Sequence, residues 1–347
     1  MIQLFKTAFL PLIASLLVCA GLIRPATAQH QQFHDLGECP LESGEVIEDC
    51  KIGYRTVGQL NAASSNAVLI VTWGLGTSEE VLANETVIGP EGWVDPDRHF
   101  IVIIDAFGNG VSSSPSNSRT QPGGDFPVFT IPDMVHAQHR FVTEGLGIEQ
   151  VHAVAGISFG AMATYGWAMH YPGYLARGVP VVGTPRRSPF DLMFGEIALN
   201  ILSDCEPRCE QARETFWLYF RTMLRSPQHW NRRVAHDQVT DFLQGTREGA
   251  RHLPDTDDIR SQFHAAHRFN VTAPFDGSLH RAAEAVEAEL LIVIATHDIG
   301  TTPGESRIFA ELSGAELYES DSDCGHLAFL ASCDGEAIAA MIRDFLW

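Results

Sequence analysis

The stretch Gly-Ile-Ser-Phe-Gly at residues 156–160 follows an apolar run, Val-His-Ala-Val-Ala, at residues 151–155. The residues after it, 161–169, have the composition of a helix. A strand, a sharp turn and a helix in this order are the setting of a nucleophile elbow, in which a serine occupies a strained turn. The flanking glycines keep Cβ atoms out of the turn. We therefore predict that Ser158 presents its hydroxyl at the end of a strand.

Continuous apolar runs recur along the chain and alternate with stretches of helical pattern. Such runs are typical of parallel strands that are covered on both faces, so we predict an α/β fold with a mostly parallel central sheet flanked by helices. Helices are expected at residues 132–144 and 159–170, and Thr130 with Asp133 three residues later indicates a helix start. The predicted strands are residues 46–54, 67–73, 100–105, 151–156, 178–182, 290–295 and 316–319.

Residues 188–274 differ from the rest because they lack β-branched strands and are rich in Arg, Gln, His, Phe and Trp. We interpret them as a helical lid inserted between a first core part, residues 29–187, and a second core part, residues 275–347. Ligands bind at the carboxyl ends of the strands in such sheets, which is where a lid would lie. The aromatic residues of the lid suggest an apolar acyl pocket, but ordinary lid packing explains them equally well. They are Phe190, Phe194, Phe216, Trp217, Tyr219 and Phe220.

A serine nucleophile needs a general base, and the base needs an acid that orients it. Asp298 follows the apolar run 290–295, and His326 lies in a loop after the last predicted strand. The order Ser158, Asp298, His326 is the order in which this type of sheet carries a triad. We therefore predict these three as the catalytic residues.

Other residues compete for these roles. His297 adjoins the candidate acid, and Asp321 and Asp323 are alternative acids that are close in sequence to His326. His152 precedes the elbow and is interpreted as a packed histidine. Three further histidines lie in or after the lid, where any of them could contact a substrate: His264, His267 and His280.

An acyl-transfer site also needs two backbone N–H groups that stabilise the oxyanion of the tetrahedral intermediate. One is expected from Phe159, directly after the nucleophile. The other is expected from the loop after the strand that ends near residue 73. We choose Gly74 there, with Trp73 and Leu75 as close alternatives.

The first 28 residues resemble a cleaved signal peptide. Lys6 precedes an apolar run at residues 8–23, and Ala-Thr-Ala at 26–28 is a cleavage site that would leave Gln29 as the first residue. A retained membrane anchor is the alternative, although Pro11 interrupts a run that is already short for a span. We therefore expect a periplasmic or secreted protein without stable membrane insertion after cleavage.

Cysteine usage agrees with export, because six cysteines remain after the leader and an even number in an oxidising compartment indicates disulfides. Loop closure favours the near neighbours. A metal site is the alternative for Cys205 and Cys209, and it is disfavoured because no second ligand pair lies nearby. The expected local pairs are Cys39 with Cys50, Cys205 with Cys209, and Cys324 with Cys333.

Net charge limits the partners. The chain carries a formal charge of −20 and therefore repels nucleic acid and anionic lipid. We expect a small-molecule acyl substrate, no cofactor and no metal. A homodimer stays open as an alternative to a monomer.

The chain resembles the homoserine O-acetyltransferase family of α/β-hydrolases over most of residues 29–347 outside the lid. The resemblance implies an α/β-hydrolase fold and an acyl group carried on Ser158, with Asp298 as acid and His326 as base. The acyl group then passes to an alcohol, or to water in other members of the superfamily. The matching stretches are residues 41–45, 54–61, 66–70, 88–90, 125–127 and 130–135, the elbow, and the segment 325–330 with its Gly-His-x-Ala-Phe-Leu pattern.

Two departures from the family pattern concern the acyl acceptor. Family acetyltransferases have an aspartate after the catalytic histidine that helps to hold the homoserine amine, and this chain has Leu327. The lid has Tyr219-Phe220-Arg221-Thr222 where the family has Tyr-Arg-Ser. An exported enzyme would also be separated from the cytosolic acyl donor. We therefore predict an exported, esterase-like serine hydrolase, with an O-acyltransferase of the homoserine type as the alternative.

Overall fold

The computed structural model describes residues 30–61, 63, 65–203, 205 and 208–347. The predicted signal peptide, residues 1–28, lies outside this range. The strands are β1 (Gln32–Pro40), β2 (Val46–Val57), β3 (Ala67–Val71), β4 (Phe100–Ile104), β5 (Val151–Ile157), β6 (Leu175–Val181), β7 (Glu289–Ala295) and β8 (Glu316–Ser320). The helices are α1 (Ser78–Leu82), α2 (Ile131–Arg140), α3 (Phe159–His170), α4 (Pro189–Leu202), α5 (Cys209–Met223), α6 (Pro227–Arg233), α7 (Val239–Gly249), α8 (Thr256–Arg268), α9 (Leu279–Glu284), α10 (Gly304–Ser313) and α11 (Gly335–Phe345).

The strands of the described chain form a single sheet in the order β1-β2-β4-β3-β5-β6-β7-β8. In this order, all neighbouring strands from β4 to β8, including β3, pair in parallel. The pairs β1 with β2 and β2 with β4 are antiparallel. Large apolar clusters cover both faces of the sheet. The predicted mostly parallel sheet flanked by helices is therefore confirmed.

Strand β1 is the one strand of the described sheet that the sequence pattern did not predict. Its pairing with β2 shifts register between Asp35 and Gly37 and again between Gly37 and Cys39. Such bulges break the two-residue alternation by which a half-buried strand is recognised. The disulfide between Cys39 and Cys50 ties β1 to β2.

The helix starts follow the capping signals in the sequence. At α2, the Thr130 hydroxyl accepts the Asp133 N–H, and the Asp133 carboxylate accepts the Thr130 N–H, so the predicted capping box is present. Ser188 and Asp191 form a second box that begins α4. Helix α3 spans the predicted residues 159–170.

The stretch 188–274, predicted as a lid, contains helices α4 to α8 between β6 and β7. A small apolar cluster in this stretch includes Leu202, Phe216 and Ile259. The side chains of α8 attach it to the core, because the Asp258 carboxylate accepts hydrogen bonds from the Ser116 N–H and hydroxyl at 2.9 and 2.6 Å. No helix in the described part of the chain is both long and apolar enough to cross a membrane.

The Asp258 contact predicts a pH-dependent stability. Burial raises the pKa of Asp258 to about 6, although the Ser116 donors oppose the rise. Because this folded-state pKa lies above the unfolded value near 4, the native protein binds the extra proton. The associated stability is present below pH 4 and is lost as the pH rises through 6. The free energy of unfolding should thus fall by up to roughly 3 kcal/mol over this window, and in Asp258→Asn this fall should be absent.

Urea unfolding of the wild-type protein and of Asp258→Asn between pH 4 and 7 measures this contribution. Subtracting one profile of unfolding free energy against pH from the other cancels the titration of all other groups. Parallel profiles for the two proteins would show that Asp258 has an ordinary pKa. Asp97→Asn, which removes an exposed carboxylate outside the stretch 188–274, serves as the control.

Candidate active site

Ser158 lies between β5 and α3 in the strained conformation predicted for a nucleophile elbow. Its backbone has φ 56° and ψ −109°, a region that non-glycine residues rarely occupy. A Cβ on Gly156 would lie 2.3 Å from the carbonyl of Gly160, and one on Gly160 would lie 2.3 Å from the Val71 oxygen. Both flanking positions therefore require glycine.

The three predicted residues lie together in one hydrogen-bonded chain. His326 Nε2 lies 2.8 Å from Ser158 Oγ, and His326 Nδ1 lies 2.7 Å from Asp298 Oδ2. Asp298 and His326 are buried, whereas Ser158 keeps part of its surface accessible. This geometry can pass the serine proton to the imidazole while the carboxylate fixes the imidazole tautomer.

Backbone groups hold the acid in place. Asp298 Oδ1 accepts the N–H groups of Gly300 and Thr301 at 2.8 and 2.9 Å, which leaves Oδ2 for the imidazole. The loop is close-packed here, since a Cβ on Gly300 would lie 3.2 Å from the Met223 carbonyl oxygen. The carboxylate orientation is therefore fixed before any substrate binds.

The alternative bases and acids are engaged elsewhere. His297 Nε2 lies 3.1 Å from the Asp321 carboxylate on the surface, and His152 Nε2 lies 2.8 Å from the Leu346 carbonyl. Asp323 pairs with Arg232 at 2.7 Å and lies 3.3 Å from His229.

The loop after β3 approaches the start of α3, as an oxyanion site requires. A Cβ on Gly74 would lie 3.4 Å from the Phe159 Cβ. The N–H groups of Gly74 and Phe159 make no hydrogen bond to any described residue, whereas the Leu75 N–H donates to Gln262 Oε1 at 2.8 Å. Trp73 also has an unbonded N–H, so the choice between Gly74 and Trp73 stays a prediction.

Two cavities meet at Ser158 and His326. The smaller, about 60 Å³, extends below the lid, and the larger, about 310 Å³, extends past Leu327. The aromatic residues of the lid support both an acyl pocket and ordinary lid packing. Some of them line the cavities, whereas Phe216 is wholly buried in the lid and Phe190 is exposed. The cavity-lining aromatics of the lid are Phe194, Trp217, Phe220 and Phe263.

Several polar residues of the smaller cavity were not singled out from the sequence. Arg187 and Gln262 line it, and so does His267, which the sequence offers only as one of several lid histidines. Arg187 follows β6, and the other two lie on α8, so they meet only through the tertiary fold. No short-range spacing marks such residues, although a basic pair, Arg186 and Arg187, begins four residues after the predicted strand 178–182.

All three predicted local disulfides are present in the structure: Cys39 with Cys50, Cys205 with Cys209, and Cys324 with Cys333. The third encloses the short helical turn Gly325–Leu327, which carries His326. The Cys324–Cys333 disulfide thus restrains the turn on which His326 lies. Cys324 also lies near His229 and Asp323, but its sulfur is already bonded to Cys333.

Ser158 is strained and lies at the end of a parallel strand, below a helical insertion. It contacts a buried histidine, which in turn contacts a buried aspartate. These features together define the class of α/β folds that carry a reactive serine. The chain belongs to the alpha/beta hydrolase fold family, whose sequence model matches residues 93–332.

Similar proteins include both esterases and acyltransferases. An ethyl acetate hydrolase of Pseudomonas veronii is 38% identical over 170 residues, which are 49% of this chain and 48% of that protein. A homoserine O-succinyltransferase of Methylibium petroleiphilum is 29% identical over 338 residues, 84% of this chain and 87% of that protein. The chain spans about half the length of the esterase relatives that it matches by sequence. The crystal structure of the acetyl esterase MekB superposes with a TM-score of 0.85 at 27% identity, covering 92% of this chain and 97% of that one.

Removing the Cys324–Cys333 disulfide should lower both stability and activity. The chain-entropy relation for this short loop predicts a loss of about 2–3 kcal/mol in the free energy of unfolding. The double variant Cys324→Ala/Cys333→Ala should also lose kcat because the turn that carries His326 gains freedom. Denaturant unfolding and ester hydrolysis, measured on the same samples, test both effects.

The matched control is Cys39→Ala/Cys50→Ala, which opens a loop of similar length away from Ser158. It should lose similar stability and keep kcat. Equal losses of kcat in both double variants would contradict a specific role for the 324–333 bridge.

Proposed function

We propose that this protein is an exported serine hydrolase that cleaves carboxylic esters. The observation that carries the proposal is the hydrogen-bonded chain Ser158–His326–Asp298 where the two cavities meet. The esterases among its relatives support hydrolysis, and the resemblance to acyltransferases agrees with an acyl group carried on serine.

The acylation step follows from the positions of the three side chains. Ser158 Oγ attacks the ester carbonyl carbon while its proton passes to His326 Nε2, and Asp298 stabilises the imidazolium. The carbonyl oxygen becomes an oxyanion that accepts hydrogen bonds from the N–H of Phe159 and from that of Gly74, with the Trp73 N–H as the alternative second donor. The bond from the carbonyl carbon to the alcohol oxygen then breaks, and His326 returns the proton to the leaving alcohol.

Deacylation repeats these steps with water. His326 removes a proton from the water while the water oxygen attacks the acyl carbon. The same N–H donors stabilise the second tetrahedral intermediate. The bond to Ser158 Oγ breaks, His326 returns the proton to Ser158, and the carboxylic acid leaves.

Leu327 favours water over an amino-acid acceptor. It lines the larger cavity beside His326, at the position where the family acetyltransferases have the aspartate that holds the homoserine amine. An apolar side chain at this position offers the ammonium group no counter-charge. The carboxylate that lines the same cavity, Glu80, already accepts the Thr77 N–H in the capping box of α1.

An O-acyltransferase is the second candidate function. The homoserine O-succinyltransferase relative supports it, because the similarity extends over 84% of this chain. Transfer and hydrolysis share the acyl-enzyme and differ only in the nucleophile of the second step. Product analysis in the presence of homoserine therefore separates the two candidates.

The proposed partner is a small acyl substrate, and the acidic surface disfavours nucleic acid. A homodimer stays a prediction, which light scattering of the purified protein tests. The proposal needs no cofactor, because the chain's own side chains supply nucleophile, base and acid.

Export is proposed from the leader-like residues 1–28, and the three disulfides support it, since such bonds persist in oxidising compartments. We expect the mature protein to be recovered outside the cytoplasm with Gln29 as its first residue. N-terminal sequencing of that material checks this expectation. A cytoplasmic protein that retains residues 1–28 would contradict it.

Ser158→Ala should lower kcat for p-nitrophenyl acetate by roughly 10⁴-fold or more, because the nucleophile is lost. A fluorophosphonate label should attach to wild-type protein at Ser158 and fail to attach to the variant. Kinetics and peptide mass mapping provide the two measurements.

His297→Ala is the matched control, because this exposed histidine was the alternative base and lies outside the triad. It should keep wild-type kinetics, whereas His326→Ala should resemble Ser158→Ala. Turnover that survives in Ser158→Ala would overturn the proposal. If O-acyl homoserine rather than free acid is the main product when homoserine is added, the acyltransferase candidate is correct.

A further inference from the structure

Arg187 is a cation in the wall of the active-site cavity. It lies in the connection between β6 and α4 and lines the smaller cavity together with Ser158 and His326. The rest of this wall is largely apolar, with aromatic and aliphatic side chains from α3 and the lid. Protein atoms surround the guanidinium closely, and this burial lowers the pKa of Arg187. A charge placed in such surroundings costs free energy unless another group compensates it.

The carboxylates near Arg187 are already engaged by other donors. Asp191 accepts the Ser188 N–H and the Thr302 N–H and hydroxyl. Asp298 accepts two backbone N–H groups and contacts His326. Within the described residues, no carboxylate oxygen lies within the 4.0 Å ion-pair distance of the Arg187 guanidinium.

The guanidinium also retains unused donors. Nη2 donates to the Asp191 carbonyl oxygen at 3.0 Å, and Nε is buried without a partner in the part of the chain that the structure describes. Nη1 makes no hydrogen bond to the described residues and is not among the buried unpaired atoms, so it keeps accessible surface. Because Arg187 lines the smaller cavity, a ligand there lies against this side chain.

The other polar side chains of this cavity do not supply the missing negative charge. Burial lowers the pKa of His267, so its ring is neutral near pH 7 and has no negative form. Gln262 is a neutral amide that bridges the Leu75 N–H and the Phe107 carbonyl oxygen. The cavity wall therefore carries one cation that forms no ion pair with a described residue, and the carboxylates of Asp191 and Asp298 act on it only at longer range.

We propose that Arg187 binds a carboxylate of the substrate, so that the preferred substrates are short esters carrying a carboxylate on either the acyl or the alcohol part. Arginine suits this role because its planar guanidinium forms paired, charge-assisted hydrogen bonds to a carboxylate. The small volume of about 60 Å³ restricts the chain that joins carboxylate and ester to a few atoms. The proposal deepens the proposed ester hydrolysis and rests on it.

Two pairs of near-isosteric substrates test the proposal and distinguish the two positions of the carboxylate. Ethyl hydrogen succinate and ethyl levulinate differ by a carboxylate against a methyl ketone on the acyl part. 3-Acetoxypropanoate and 4-acetoxybutan-2-one differ in the same way on the alcohol part. Wild-type protein should give a kcat/KM ratio of about 10- to 100-fold in favour of the carboxylate member of at least one pair, the range expected for a charge-assisted contact.

Arg187→Met should abolish this ratio and Arg187→Lys should restore part of it, since lysine keeps the charge and loses the planar pair of donors. Arg186→Met is the matched control, because Arg186 pairs with Glu305 at 2.6 Å and does not line the smaller cavity. This control should keep the wild-type ratio. If Arg187→Met lowers kcat/KM equally for both members of each pair, Arg187 is only structural and the proposal is wrong.

Wild-type kinetics alone can also overturn the proposal, so the test does not depend on the folding of a variant: a wild-type ratio of one or less for both pairs contradicts it.

Thermal unfolding of Ser158→Ala tests carboxylate binding separately from the proposed hydrolysis. Ethyl hydrogen succinate or 3-acetoxypropanoate should raise the Tm more than its ketone counterpart does, and this difference should vanish in Ser158→Ala/Arg187→Met. A Tm difference without any ester turnover would leave the carboxylate site standing and refute only the hydrolase.

Discussion

The close approach of α3 to the end of β3 is the constraint on which the active site depends. Glycine at 156 and 160 lets the first turn of α3 lie against the Val71 carbonyl oxygen, and Ser158 must then adopt a φ of 56° to connect strand and helix. A strained residue of this kind costs about 1–3 kcal/mol and persists only where its surroundings over-determine it. Helix α3 provides those surroundings, because its residues from Phe159 to Ala168 are all buried. The apolar sequence of α3 therefore stabilises the serine conformation that the reaction needs.

The lid is joined to the core by polar contacts at its start, middle and end. Asp191 holds the Thr302 loop near Asp298, the Ser226 hydroxyl donates to the Asp323 carbonyl oxygen, and Gln262 bridges two core loops. Two of these contacts involve loops that carry Asp298 and His326, so the segment that closes the cavities also positions these two side chains. Substrate selection and triad geometry are thus mechanically linked in this fold.

The sequence predicts the parts of the site that depend on local pattern and chain order. The elbow has a local signature, Asp298 follows from its position after the apolar strand β7, and His326 follows from its position after the last strand, β8. Arg187, Gln262 and His267 have no such signature, because the connection between β6 and α4 and helix α8 bring them together from distant parts of the chain. The same limit applies to β1, where bulges at Gly37 disrupt the alternation. The parts of the site that the sequence pattern does not predict are therefore those that tertiary contacts bring together.

The way in which Asp298 is held explains why Arg187 is available to a ligand. A triad carboxylate needs partners for both oxygens, and a neighbouring arginine could fill that role. Here the Gly300 and Thr301 N–H groups fill it, and uncharged backbone donors leave the net charge of the carboxylate intact for the imidazolium. Arg187 thus contributes a long-range field at Asp298 without neutralising it. On a protein with a formal charge of −20, whose surface repels anions, a partly buried cation in the wall of the cavity that contains Ser158 provides a local attraction for a carboxylate.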